Sequence, residues 1–398
     1  MLVKRVEPKR RRHRLRRLIL WLAALAVVFH VGGGWYFAGV LHDRAFSGAE
    51  RRASTDFIPH LEVAAITDGA IVLRPLDGAT TPASVDAQGV WGLRWNGGYG
   101  LVGQVTSVEG ADVARSFELV EGDPPLSGMT AQLDARAAPD IDHLPEPLDY
   151  REVVIGGPLG ALPAWYASAQ RTTWVVTVHG NGLSRLDAAK WLPALQMAGY
   201  PTLTFAYRNA AGAPEDPSGL LRYGLTEWED LEAAVRYALD HGATDVALFG
   251  YSMGGGVAAA FLQRSTLAGS VRALVLDAPM LNFSSTVDDN AAREPLVGPV
   301  NVPPSLTWSA KAIADVRYDI DWGSLDYLVD PALFSMPTLV LHGDHDLTVP
   351  IRTSRMLAMA APGTVTLVEC PGVDHLECWN QDPETITARV VSFLDAAT

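Results

Sequence analysis

Residues 250–254 constrain the fold of this chain more than any other stretch. They read Gly-Tyr-Ser-Met-Gly and follow an apolar segment, 245–249, that is typical of a buried strand. The small apolar residues 255–262 come next and are typical of a packed helix. A sharp strand-to-helix turn strains its central residue and leaves room only for glycine two places away on either side. The sequence therefore predicts a tight turn that presents the Ser252 hydroxyl at the edge of a sheet.

A serine hydroxyl becomes a good nucleophile when a histidine removes its proton and a carboxylate orients that histidine. Downstream, the predicted strand 338–341 leads into a loop that contains Asp346, and the predicted strand 364–368 leads into a loop that contains His375. Loops after successive parallel strands meet at one sheet edge. We interpret Asp346 as the acid and His375 as the base.

Other residues on these loops leave alternatives open. Asp344 lies on the same loop as Asp346, and Asp277 follows another predicted strand, 273–276. Either is a possible acid. His342 and His345 are the rival bases, but both are too close in sequence to the acids of their own loop, and we interpret His345 as a surface residue.

An oxyanion needs backbone N–H donors close to the serine. The residue after the nucleophile supplies one, which indicates Met253. The predicted strand 174–178 runs into His-Gly-Asn-Gly, whose glycines allow close backbone approach, and this indicates Asn181 as the second donor. We interpret His179 as a structural residue of that loop.

These motifs together resemble the α/β-hydrolase superfamily, nearest to its membrane-anchored Bem46-like and serine-aminopeptidase-like members. The resemblance extends from about residue 150 to the C-terminus. It implies hydrolysis of an ester, thioester or amide through an acyl-enzyme, on a small-molecule or lipid-like acyl substrate, without a metal or organic cofactor. Related dehalogenases and epoxide hydrolases have an aspartate nucleophile, so Ser252 argues against both activities. An acyltransferase, or a non-catalytic scaffold with this fold, remains an alternative.

Charge divides the chain sharply. Nine of its 31 Lys and Arg residues, but one of its 45 acidic residues, lie in the basic head 1–17, so the remainder has a net charge of −22. Such an acidic body argues against nucleic-acid binding. The uncharged segment 18–41 follows, and its 24 residues would extend about 36 Å as a helix, enough to span about 30 Å of hydrocarbon. Because Lys and Arg stay on the cytoplasmic side, we predict a single-pass anchor with the remaining chain outside.

A cleaved signal peptide is the alternative to a retained anchor, since Ala45-Phe46-Ser47 resembles a cleavage site. Export also fits the two cysteines, Cys370 and Cys378, which bracket His375. In an oxidising compartment we expect them to form a disulfide that fixes this loop.

Two further regions complete the predicted organisation. Short strands separated by Gly, Pro and Asp indicate a small β-rich domain over 57–144, with no chemistry of its own and a role as spacer or cleft wall. Residues 150–398 alternate strands and helices, as expected for a doubly wound, mostly parallel α/β sheet. Within them, the aromatic insertion 282–331 suggests a lid over the serine.

Two helix starts are specific enough to predict. Asp382-Pro383 is an N-cap followed by proline in the first turn, and Thr226 with Glu229 forms the pattern of a capping box.

Overall fold

The structure is a computed structural model, and it describes residues 8–47, 57–76, 85–144, 148–182 and 184–398. The chain begins with the long helix α1 (Pro8–Leu41), which continues into a π-helical turn, His42–Phe46. Within the described residues, α1 and this turn form one helix that is long and apolar enough to cross a membrane. Its apolar side chains lie on the outside of the protein, from Leu18 to Tyr36.

A closed six-stranded barrel follows. Its strands are β1 (Leu61–Thr67), β2 (Ala70–Pro75), β3 (Trp91–Trp95), β4 (Gly98–Glu109), β5 (Asp112–Gly122) and β6 (Thr130–Asp134). All neighbours are antiparallel, in the order β1-β2-β5-β4-β3-β6, and β6 closes the barrel by pairing with both β3 and β1. Leu61, Ile71, Trp91 and Leu93 are fully buried inside it. Five of these strands are predicted from the sequence, at 61–66, 70–73, 90–95, 101–105 and 116–120, whereas β6 is not.

The next segment alternates strands and helices. In chain order it contains β7 (Tyr150–Gly157), β8 (Gly160–Ala167), β9 (Thr173–Val178), α2 (Leu192–Met197), β10 (Thr202–Phe205), α3 (Trp228–Asp240), β11 (Asp245–Tyr251), α4 (Met253–Arg264) and β12 (Val271–Asp277). A 3-10 helix, Arg185–Trp191, precedes α2. The predicted capping box does not form at α3, because the Glu229 carboxylate accepts a hydrogen bond from Arg208 instead (2.9 Å).

An insertion separates β12 from the next strand of the sheet. It contains α5 (Phe283–Arg293), the short hairpin β13 (Pro295–Val297) and β14 (Val300–Asn301), and α6 (Pro304–Tyr318). The chain then returns through β15 (Thr338–Gly343), α7 (Arg352–Ala360), β16 (Val365–Cys370), α8 (Cys378–Gln381) and α9 (Pro383–Ala397). The predicted start of α9 is confirmed, since the Asp382 carboxylate accepts a hydrogen bond from the Thr385 N–H (3.0 Å).

Eight strands form one sheet in the order β16-β15-β12-β11-β9-β10-β8-β7. The β7–β8 hairpin and the β8–β10 pair are antiparallel, and all other pairs are parallel. The predicted doubly wound, mostly parallel α/β sheet is therefore confirmed. The carboxyl ends of β9, β11, β12, β15 and β16 lie at the same edge, which places the loops that follow them together.

The chain divides into two compact units. One comprises Met1–Ser47 with Val287–Trp322, and the other comprises Gly48–Thr286 with Gly323–Thr398. This differs from the domains predicted from the sequence, which placed the whole insertion 282–331 with the hydrolase-like domain. The difference arises because α6 packs closely against α1. The role of the insertion as a lid remains a prediction.

The predicted disulfide is present. The Sγ atoms of Cys370 and Cys378 are bonded at 2.09 Å and join the end of β16 to the start of α8. The bridge closes a short loop that contains His375, so the backbone around this histidine has fewer conformations available.

Candidate active site

Ser252 occupies the turn between β11 and α4 with φ 52° and ψ −117°. This conformation is unfavourable for a residue with a side chain and costs about 1–3 kcal/mol. Three backbone hydrogen bonds hold it: Ser252 N–H donates to the Asp277 carbonyl (2.9 Å), and the Ser252 carbonyl accepts from Met280 (2.9 Å) and Gly255 (3.0 Å). The predicted strained strand-to-helix turn is present, with Ser252 almost fully buried.

The glycine that follows the serine by two residues allows β9 to approach the turn. A Cβ atom on Gly254 would lie 2.0 Å from the Val178 carbonyl oxygen, closer than atoms can pack. A Cβ on Gly250 would lie 2.8 Å from the Gly254 carbonyl oxygen. Gly250 therefore allows the turn itself to be tight, and Gly254 allows the end of β9, which leads into the loop with Asn181, to lie beside it.

The structure pairs His375 with Asp346. The distance from His375 Nδ1 to Asp346 Oδ2 is 2.7 Å, and the other carboxylate oxygen accepts hydrogen bonds from the N–H groups of Thr348 (2.8 Å) and Val349 (2.7 Å). Burial alone would raise the pKa of Asp346. The charge of His375 and hydrogen bonds from two histidines outweigh burial and hold this pKa well below its usual range.

The same carboxylate raises the pKa of His375. Burial opposes the imidazolium form, but the negative charge and hydrogen bond of Asp346 favour it more strongly. Because Nδ1 bonds to Asp346, the neutral ring leaves Nε2 as the nitrogen that can accept a proton.

A second histidine, missed as a partner by the sequence analysis, contacts the same oxygen of Asp346. His342 Nε2 lies 3.2 Å from Asp346 Oδ2 and 3.0 Å from the Val349 carbonyl oxygen, while its Nδ1 lies 2.8 Å from Ser354 Oγ. The His342 side chain is fully buried. It therefore helps to fix the carboxylate. The signal in the sequence was its position at the end of β15, just before the acid loop.

The two alternative acids lie in different environments. Asp344 Oδ1 bonds to Nδ1 of the exposed His345 (2.6 Å) and accepts from the Gly372 N–H (2.7 Å). It therefore links its own loop to the loop after β16 at the surface. Asp277 is buried, and neither of its carboxylate oxygens has a hydrogen-bond partner among the described residues. Burial raises the pKa of Asp277 to about 6, so this group takes up a proton at a higher pH than an ordinary aspartate does.

The predicted oxyanion donors, Met253 and Asn181, belong to α4 and to the loop after β9. Met253 is the first residue of α4, where backbone N–H groups have no intrahelical acceptor. Asn181 lies on the loop after β9, and its Nδ2 donates to the Tyr223 hydroxyl (2.8 Å). His179 stacks on Tyr207 with ring centroids 3.9 Å apart, and burial lowers its pKa to about 4. A neutral, packed His179 shapes this loop.

The loop around His375 is bonded to a half-buried lysine, Lys190, which was not predicted from the sequence. Leu376 has φ 61°, a strained conformation for a side chain of this size. Lys190 Nζ donates to the Leu376 carbonyl (3.2 Å), to the Ala135 carbonyl (3.0 Å) and to Asn380 Oδ1 (2.8 Å). These three acceptors are uncharged, and burial lowers the pKa of Lys190. The ammonium group thus binds the residue next to His375 directly.

Asn380 extends this support to the barrel. It is fully buried, and its Nδ2 donates to the carbonyls of Val90 (2.8 Å) and Ala135 (2.9 Å). Its own carbonyl accepts from the Val90 N–H (2.7 Å). Gly89 packs so closely that a Cβ would lie 2.0 Å from that carbonyl oxygen. The residues flanking β3 and β6 are therefore bonded to the helix that follows His375.

Among the described residues, one group of side chains has the spacing of metal ligands. Ligand atoms of Glu121, Asp140 and His143 lie within 4.8 Å of one another. Two of the three residues are exposed, and exposed acidic groups often gather without a metal, so we assign no ion to them.

A family model and a solved structure match this chain at the level of its fold. Residues 173–297 match the family described as alpha/beta hydrolase fold. A 71-residue segment is 32% identical to a non-heme haloperoxidase of Rhodococcus erythropolis; it covers 18% of this chain and about a quarter of the relative, 26%. The solved esterase Pf2001 of Pyrococcus furiosus superposes with a TM-score of 0.50 at 20% identity, covering 63% of this chain and 92% of the esterase. A bromoperoxidase from Bacillus anthracis gives a TM-score of 0.44 at 19% identity, covering 62% of this chain and 100% of the bromoperoxidase.

We predict that Asp346→Asn lowers turnover by roughly 10⁴-fold, the loss measured for the triad acid of another serine enzyme, because a neutral amide favours the wrong imidazole tautomer. Asp344→Asn is the matched control on the same loop, and it should cost far less, since its side chain bonds to His345 and Gly372. Steady-state hydrolysis of a p-nitrophenyl ester measures both. The reverse order would identify Asp344 as the acid.

The raised pKa of His375 predicts the acid side of the pH profile. A base must be neutral to accept a proton, so kcat/KM should fall as the pH drops through a midpoint above the ordinary histidine value of 6.5. In Asp346→Asn, residual activity should show this midpoint at lower pH, because the stabilising charge is gone. An unchanged midpoint in the variant would show that another group titrates.

Proposed function

This chain has the α/β-hydrolase fold, and we propose that it is a serine hydrolase that cleaves an acyl ester, thioester or amide through an acyl-enzyme on Ser252. The observation that carries the proposal is the His375–Asp346 pair (2.7 Å) at the same sheet edge as the strained turn of Ser252. The finer likeness to Bem46-like and serine-aminopeptidase-like enzymes remains a prediction.

In the proposed reaction, the Ser252 hydroxyl attacks the acyl carbonyl while His375 Nε2 takes its proton. The N–H groups of Met253 and Asn181 stabilise the oxyanion, as the closeness of β9 to the serine turn supports. His375 then returns the proton to the leaving group. Water attacks the acyl-enzyme in the second half, with His375 again as base and Asp346 holding its tautomer.

An apolar acyl group fits the surroundings of the oxyanion loop. Phe283 stacks on Tyr223 with ring centroids 3.9 Å apart, and the Tyr223 hydroxyl accepts the hydrogen bond from Asn181. Met280, bonded to the Ser252 carbonyl, lies three residues before Phe283. This apolar and aromatic group supports a substrate with an aliphatic or aromatic acyl chain, such as a lipid-like ester.

The acceptor of the acyl group distinguishes this proposal from its alternatives. An acyltransferase would pass the same acyl group to another nucleophile. The likeness to a haloperoxidase makes hydrogen peroxide a specific acceptor to test, since its attack on the acyl-enzyme would give a peracid and free serine. A non-catalytic scaffold would form no acyl-enzyme at all.

We also propose that the hydrolase lies outside the cytoplasmic membrane. The basic head, the apolar exterior of α1 and the Cys370–Cys378 disulfide support this placement. In this arrangement α1 is a retained anchor, with the N-terminus in the cytoplasm.

We predict that Ser252→Ala abolishes labelling by a fluorophosphonate, because the reagent forms its covalent bond to the nucleophilic oxygen. Loss of one hydroxyl removes little packing, so the melting temperature should stay close to that of the parent protein. The exposed Ser168→Ala is the matched control and should label normally. Labelling of Ser252→Ala at the parent level would refute the assignment. A panel of esters, aminoacyl anilides and acceptors, including hydrogen peroxide, then identifies the reaction.

The proposed orientation of the chain in the membrane makes a separate prediction. Protease added to intact cells should digest the hydrolase while the protein still fractionates with membranes. Mass spectrometry without reduction should find the peptides of Cys370 and Cys378 joined. Protection from protease, with both thiols open to alkylation, would show that the orientation is wrong. A released protein that begins near residue 48 would show that the segment is a signal peptide, and the assignment of Ser252 would be unaffected.

A further inference from the structure

Helix α6 of the insertion packs directly on α1, within one compact unit. A Cβ on Gly33 would lie 2.9 Å from a Leu306 methyl carbon, and a Cβ on Gly34 would lie 3.0 Å from Ser309 Cβ and 3.2 Å from its backbone carbon. The two glycines thus let the backbones of the helices approach, as small residues do between helices in membranes.

The remaining contacts fix the direction of α6 along α1. The guanidinium of Arg317 lies 4.3 Å from the centre of the Trp35 ring, and the Tyr318 ring stacks on His42 with centroids 4.5 Å apart. The C-terminal end of α6 therefore lies beside the C-terminal end of α1. Its N-terminal end, around Leu306, reaches back toward Gly33.

If α1 spans a bilayer, the position of Gly33 along α1 sets the depth at which α6 lies. Gly33 lies 16 residues beyond Arg17, the last residue of the basic head. At about 1.5 Å per residue, this is about 24 Å along the helix, which is less than the roughly 30 Å of hydrocarbon. A tilted helix would place Gly33 deeper still. The N-terminal end of α6 must then lie at the outer boundary of the hydrocarbon.

Large apolar side chains are exposed on α6 and on the neighbouring hairpin. Trp308 and Val316 of α6 are 70% and 89% exposed, and Val297 on the neighbouring hairpin is 73% exposed. Trp308, Ala312 and Val316 follow one another at helical spacing and form a continuous exposed stripe. Tryptophan is enriched where protein meets the lipid headgroups.

We propose that α6 is a membrane-contact surface, whose stripe of Trp308, Ala312 and Val316 inserts into the outer leaflet of a phospholipid bilayer. The packing of α6 on α1, which is long and apolar enough to cross a membrane, identifies lipid as the occupant. The inference rests on the proposed membrane anchor and not on the chemistry of Ser252. It gives the insertion a role as a part of the protein held at the lipid surface.

The test uses the full chain in phosphatidylcholine vesicles, with a nitrobenzoxadiazole fluorophore on Trp308→Cys or, in a second variant, on Val316→Cys. The native cysteines form a disulfide and do not react. Val28→Cys in α1 is the membrane control, and Met197→Cys, exposed on α2, is the aqueous control. We expect lipids carrying a nitroxide on the acyl chain to quench both α6 probes several-fold more than the Met197 probe, and aqueous iodide to quench them less.

Quenching of both α6 probes by iodide alone, with the Val28 probe quenched by lipid, would overturn the proposal while leaving the anchor intact. Loss of lipid quenching at Val28 as well would show that α1 does not span the bilayer, and the proposal would then be wrong because its premise is wrong. Fluorophosphonate labelling of Ser252 in the same vesicles reports the proposed catalytic function independently of either result.

Discussion

The strained backbone of Ser252 is the constraint on which the arrangement of the site depends. A φ of 52° turns the chain abruptly from β11 into α4, and the turn is possible because the glycines on either side remove every clash. Gly254, the second residue of α4, also lies against the carbonyls of Val178 and His179, so the start of the loop with Asn181 is close to the turn. A local conformational penalty of about 1–3 kcal/mol thereby organises two neighbouring loops.

The three carboxylates that follow strands at this edge of the sheet differ in their electrostatic environment. Asp346 receives two histidines and two backbone N–H groups and stays ionised. Asp277 has no hydrogen-bond partner among the described residues, so burial dominates its pKa. Asp344 faces solvent and bonds to His345. All three aspartates thus follow a strand, and the hydrogen-bond donors around each carboxylate decide which of them can orient a histidine.

Local patterns predicted the parts of this structure that local sequence determines. The turn at Ser252 and the N-cap at Asp382 follow from residues adjacent in the chain, and both are present. Barrel closure by β6 and the hydrogen bonds of Lys190 join residues that are 36 to 190 positions apart, so no local periodicity predicts them. The capping box at Glu229 failed for the same reason, since a distant arginine competes for its carboxylate.

The hydrogen bonds of Lys190 and Asn380 show that the loop of His375 is supported by residues on both sides of the predicted domain boundary. The sequence suggests a domain boundary near residue 147. Without the barrel, however, the Lys190 ammonium would lose its Ala135 acceptor, and the Asn380 side-chain amide would lose both of its acceptors, the carbonyls of Val90 and Ala135. Water would replace those acceptors, and each protein hydrogen bond lost in this way is worth about 0.5–1.5 kcal/mol. The part of the chain with the α/β-hydrolase fold therefore shares part of its support with the barrel. Insertions, fusions and truncations at that junction act on the loop of His375, although it lies more than 200 residues away in the chain.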